Sequence, residues 1–138
     1  MKILFAADGS AYTDRALDHL DAYGPFRGAD LTVLHVVPPI THHAASFLAP
    51  DVVAGYYRDE AERMFAPVRD RLAAAGVAAR FEAGHGHAAE VIAAHANAGA
   101  FDLLVMGSHG HGNLGNLVLG SVATQVVSAT CCPVLMVR

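Results

Sequence analysis

Basic residues are scarce in this chain: nine lysines and arginines face thirteen acidic residues, a formal net charge of −4. A nucleic-acid binder normally presents a basic face, so nucleic acid is excluded as a partner. The charges that exist are mixed in sign up to Phe101, and no block of like charge marks a tail. Only two cysteines occur, Cys131 and Cys132, and adjacent residues are poorly placed to bridge each other. Two free thiols, buried as small apolar residues, are expected instead, in keeping with a reducing cytoplasm. The opening apolar run, residues 2–7, is too short for a secretory signal before it meets Asp8.

Charge vanishes altogether over residues 103–137. A membrane-spanning helix needs about 20 predominantly apolar residues. Here glycines, Pro133 and several Asn, Ser, Thr and Gln residues break every such window, so no membrane segment is expected. The stretch reads as core and interface. A chain of 138 residues, 54% of them apolar, has the size of one domain, residues 1–138, that buries its core without disulfides or metal.

What is present alternates between two periodicities. Apolar runs of strand type occupy residues 2–7, 31–37, 77–83, 102–106 and 134–137. Between them lie helix-like stretches: one capped by Ser10 and ending at Gly24-Pro25, one over 51–75, one over 87–98 and one over 121–128 capped by Ser121. Pro67 falls inside the second helix and predicts a kink or break there. A loop carrying His42 and His43 precedes that helix, and Gly84 to Gly86 are expected to form a turn after the third strand. Near-continuously apolar strands separated by helices indicate a parallel sheet covered on both faces, and right-handed crossovers make it doubly wound. Ligands in such sheets sit beyond the carboxyl ends of the strands, where strand order reverses. Asp8-Gly9-Ser10 after the first strand and Gly107 to Gly110 after the fourth both belong at that end.

The fourth strand runs into Met106-Gly107-Ser108-His109-Gly110, followed nine residues later by Gly120-Ser121. A glycine-rich turn opening a helix lets a ligand approach the backbone and offers unpaired N–H groups to an anion. Three phosphate-binding classes fail on what is missing. A P-loop needs a lysine, and this loop has none. The run Gly110-His111-Gly112-Asn113-Leu114-Gly115 matches the dinucleotide fingerprint, but it is not in the first β-α turn and no acid follows Asp102 to hold a ribose. A receiver domain needs an aspartate ending strand three and a lysine ending strand five, and neither is there.

These residues closely resemble the universal stress protein family. The resemblance rests on Lys2 to Ser10, on Leu34-His35-Val36-Val37, and on Gly86 with Glu90-Val91-Ile92. It continues through Leu103 to Gly110, Leu119-Gly120-Ser121-Val122, and Cys132-Pro133-Val134-Leu135-Met136-Val137. It covers essentially the whole chain. It implies an α/β fold: a single doubly wound open sheet of five parallel strands in the order 3-2-1-4-5, Rossmann-like, with helices on both faces. It further implies ATP, AMP or ADP at the sheet's carboxyl end, with Mg²⁺ as a companion ion. By position, Ala7 and Asp8 meet the adenosine end and Val36 contacts adenine. Gly107, Gly110, Gly120 and Ser121 surround ribose and phosphates, and Met106, His109 and Val122 complete the site. The resemblance also implies a homodimer built on the Val134–Val137 edge strand, an apolar edge open to pairing.

The chain departs from that family where Arg or Lys often stands near the loop: here the positions hold His109, His111, Asn113 and Asn116. Imidazole is largely neutral at pH 7, so weaker, more pH- and Mg²⁺-dependent ATP binding is expected. The pairs His85/His87 and His109/His111 could ligate a metal, but solvated loop histidines account for them and no metal site is expected. No nucleophile with an oriented base is legible, so no catalytic residue is expected. The function expected is a cytoplasmic stress-response protein that binds an adenine nucleotide, which orders the loop between Gly107 and Gly120 and biases a partner surface. The rivals are a dimeric interaction module with no nucleotide and a slow nucleotide hydrolase.

Overall fold

The computed structural model describes residues 1–24, 26–112 and 118–138. Five strands, β1 (Lys2–Ala6), β2 (Asp30–Val37), β3 (Ala79–His85), β4 (Leu103–Gly107) and β5 (Val134–Val137), form one parallel sheet in the order β3-β2-β1-β4-β5. Strand order reverses at β1, which pairs with β2 on one side (Ala6 opposite Leu34) and β4 on the other (Ala6 opposite Met106). The interleaved helices are α1 (Ala11–Tyr23), α2 (His42–Ala45), α3 (Pro50–Ala74), α4 (Ala88–Ala98) and α5 (Ser121–Ala129).

Alternation along the central strands divides the core between the two faces. Ile3 and Phe5 of β1 join Leu17 and Leu20 of α1 and Met64, Phe65 and Val68 of α3 on one side. Leu4 meets Ile92 and Ala96 of α4 and Ala123 and Val126 of α5 on the other. Ile3, Leu4 and Phe5 are fully buried, so the middle of β1, between both layers, carries no polar position.

Pro67 does not break α3, which is continuous from Pro50 to Ala74. Proline inside a helix costs about 3 kcal/mol. The same helix buries Met64, Phe65, Val68 and Leu72 against the sheet, each worth about 1.5–3 kcal/mol, so packing wins. Pro50 opens the helix at its first turn, where its missing N–H costs nothing. On the exposed side of α3 the Arg69 guanidinium hydrogen-bonds the Glu62 carboxylate and holds that carboxyl below its usual range.

β3 begins two residues later than the apolar pattern suggested, because Val77 serves the helix stop. The Gly76 N–H bonds the Ala73 carbonyl and the Val77 N–H bonds the Leu72 carbonyl, with Gly76 left-handed at φ 71°. This termination motif uses its final residue as an apolar plug, and Val77 packs on the core. At its far end β3 continues through Gly84 and His85, which pair with Val36 and Val37 rather than turning. Three smaller expectations are also corrected. His42 and His43 lie in a short helix, with the Thr41 hydroxyl accepting the Ala44 N–H. Gly120, not Ser121, occupies the N-cap of α5. Cys131 is exposed and Cys132 only half-buried; both are free.

Candidate functional site

The turn after β1 is built around Asp8. The Ala7 N–H bonds the Leu34 carbonyl and so prolongs the β1–β2 pairing by one residue before the chain turns. The Asp8 Oδ1 then accepts from the Ser10 N–H at 2.9 Å and from the Thr13 hydroxyl at 2.9 Å. Thr13, buried in the first turn of α1, in turn accepts from the Asp8 and Gly9 N–H groups at 3.1 and 3.2 Å. Ser10 stands at the N-cap position as its sequence predicts, but its side chain makes no capping bond and its buried Oγ has no partner. Asp8 and Thr13 instead satisfy the N–H groups of the turn that leads into α1, those of Asp8, Gly9 and Ser10, and this fixes the direction of the Asp8 carboxylate.

The β4 turn folds back onto that carboxylate. Ser108 is buried; its N–H bonds the Val137 carbonyl and its own carbonyl accepts the Gly120 N–H at 2.7 Å, closing the base of the loop. The motif glycines stand where a side chain would collide. A Cβ on Gly107 would lie 2.6 Å from the Tyr12 Cβ, one on Gly110 2.9 Å from the Asp8 Oδ2, and one on Gly120 3.3 Å from the Ser108 carbonyl oxygen. None of the three has a left-handed backbone, so close approach and not unusual φ is what requires them. Two imidazoles brace the turn. His109 places Nδ1 3.0 Å from the Ser108 Oγ and stacks at 5.3 Å on Tyr12; His111 Nε2 donates to the Asp8 carbonyl oxygen at 2.7 Å. Asn113, Asn116, the Asn113-Leu114-Gly115 half of the dinucleotide-like match, and Pro25 lie outside the described residues.

Adjacent pairing of β1 and β4 brings both turns to one cavity of about 260 Å³ at the carboxyl end of the sheet. That approaches the low end, about 300 Å³, of ordinary small-molecule clefts. Ala7, Asp8, Val36, Met106 and Gly107 line it, as do His109, Gly110, Gly120, Ser121 and Val122, so the structure brings together the residues that the resemblance implies for the nucleotide site. The floor, Leu34, Val36, Ala88, Ile92 and Met106, is apolar. Sequence reasoning missed His35, whose Nδ1 bonds the Ala7 carbonyl at 2.8 Å, and Ala88, Ile92 and Ala123. The α4 residues had a findable signal, since the apolar stripe of a helix covering the sheet also covers whatever lies on the sheet. His111 was noted as a loop position, but its bond had no sequence signal: the partner is a carbonyl more than a hundred residues away.

The two histidine pairs do not converge. His85 ends β3 and His109 follows β4, three strand spacings apart in the sheet order, or about 14 Å, too far to share one ion. His85 instead stacks on Tyr57 at 4.7 Å. Among the described residues no helix is long and apolar enough to cross a membrane.

The model of the "Universal stress protein family" matches residues 1–138. A universal stress protein of Thermus aquaticus is 36% identical over 99% of this chain and 97% of its own. The universal stress protein YxiE of Bacillus subtilis is 30% identical over 99% and 98%. Among solved structures, MJ0577, a universal stress protein of Methanocaldococcus jannaschii, superposes with a TM-score of 0.82 at 28% identity, over 99% of this chain and 94% of that one. More distant structures share the fold alone: an Arabidopsis thaliana family protein with AMP bound (TM-score 0.69, 17% identity, 99% and 90% covered) and an Archaeoglobus fulgidus one in complex with dAMP (0.69, 18%, 100% and 98%). Sheet order, the paired turns after β1 and β4, and a whole-length match agree, and the chain belongs to the universal stress protein family.

Proposed function

We propose that this protein binds an adenine nucleotide in the cavity at the β1/β4 switch point and acts in the stress response by binding, not by turnover. The observation that carries this reading is the convergence of Asp8, Val36 and the glycine turn on one cavity lined by both apolar and polar residues. Val36 and Ala7 flank the adenine, and the Asp8 carboxylate, with acceptor capacity beyond its two internal bonds, faces a ribose hydroxyl. Gly107, Gly110, Gly120 and Ser121 lie along ribose and phosphate, where N–H groups at the start of α5 face the anion. Met106, His109 and Val122 complete the walls. AMP and dAMP in the fold relatives support an adenine ligand. ATP, ADP and a companion Mg²⁺ fall within the same reading.

The protein is also proposed to be a cytoplasmic homodimer. β5 is an edge strand with one side unpaired, and its Val134, Leu135 and Met136 are only half-buried, a surface suited to a second copy. Mass spectrometry of compounds released from freshly purified, denatured protein tests the ligand, with equilibrium dialysis of AMP and ATP as the complement. A stoichiometric adenine compound, or saturable uptake, is expected. Neither would leave a nucleotide-free interaction module. Light scattering at twice the monomer mass tests the dimer.

A further inference from the structure

The end of the sheet that holds the cavity carries almost no fixed positive charge. The segments that follow the first four strands, residues 7–14, 38–49, 86–87 and 108–120, contain no lysine or arginine. Arg138 follows the edge strand β5 and does not line the cavity, and the Arg15 guanidinium is occupied over the Tyr12 ring at 5.1 Å. A fixed anion stands there instead. The Asp8 carboxylate is anchored through Oδ1 by the Ser10 N–H and the Thr13 hydroxyl, while Oδ2 faces Gly110, within 2.9 Å of where a Cβ would be. His111, at a position where the loop could have carried a cation, spends an N–H on the Asp8 carbonyl.

From this juxtaposition of an apolar floor, an anchored carboxylate against the glycine turn and no lining cation, we infer that the cavity selects adenine ligands of low charge. Adenosine and its monophosphates bind in preference to the triphosphate. The inference rests on the nucleotide reading above and narrows it. Main-chain N–H groups at the start of α5 suffice for one phosphate. Each further phosphate brings more negative charge toward Asp8 with no guanidinium or ammonium to neutralise it.

The test is calorimetric titration of the full chain with adenosine, AMP and ATP at about pH 8, above the unperturbed imidazole range, with chelator to remove divalent ions. AMP is expected to bind about tenfold more tightly than ATP, the order of one missing charge-assisted contact. ATP binding as tightly as AMP, or more tightly, overturns the inference and leaves the nucleotide reading standing. Binding of none of the three overturns both. His111→Lys supplies the missing cation and is expected to bring ATP to within about twofold of AMP. An unchanged AMP-to-ATP ratio in that variant refutes the charge explanation. Thermal melts of both proteins without ligand verify that the variant is folded.

Discussion

Replacing Gly107 with alanine separates a packing role for this glycine from a ligand role. The added Cβ would stand 2.6 Å from the Tyr12 Cβ and 3.1 Å from the His109 carbonyl oxygen, whereas ordinary contact begins near 3.4 Å. Tyr12 cannot rotate away, because its Cβ is fixed by the backbone of the first turn of α1. Relief requires α1 or β4 to shift by several tenths of an ångström. α1 is held there by the bonds from Asp8 and Gly9 to Thr13 and is packed through Leu17 and Leu20. Overpacking of this kind costs about 1–3 kcal/mol. For a chain of this length each kcal/mol lowers the melting temperature by about 3 °C, so Gly107→Ala should melt about 3–9 °C below the parent protein with no ligand present. Gly112→Ala is the control: among the described residues nothing lies within 4 Å of its Cβ, and its stability should stay within about 0.5 kcal/mol. Calorimetric or circular-dichroism melts decide. If ligand-free Gly107→Ala melts within about 1 °C of the parent, Tyr12 does not require the glycine and the packing argument is refuted.

Ser10→Ala should leave stability within about 0.5 kcal/mol in urea titration, not the ~1 kcal/mol typical of a lost N-cap, because the Ser10 Oγ caps nothing and is buried without a partner. Thr13→Val keeps the shape but removes the hydroxyl that accepts from two N–H groups and donates to Asp8. It should cost about 1–3 kcal/mol and weaken adenosine binding as the carboxylate loses its anchor; urea midpoints and calorimetry measure the two effects.

Most of the layout was legible in the sequence because it depends on local periodicity. The apolar run at residues 2–7, the stripe of α1 and the Gly107-x-x-Gly110 turn announce their own conformations. Boundaries failed where a residue's partner lies in another element. Val77 looks like strand and is a helix plug. Gly84 and His85 look like a turn and are strand, because Val36 and Val37 are there to pair with them. Pro67 looks like a breaker, and burial of its neighbours outweighs it.

The sequence by itself determined the class of fold, the family and the two turns at the carboxyl end of the sheet, since each is written in short-range spacing and residue type. Only the tertiary structure decided what those residues do to one another. Asp8 and Gly110 are more than a hundred positions apart, and pairing of β1 with β4 is what presses the carboxylate against the turn. That contact, the Tyr12 wall behind Gly107 and the His111 bond to the Asp8 carbonyl are long-range meetings. A chain read one window at a time carries no record of them, because the sheet order that creates them is a property of the whole molecule.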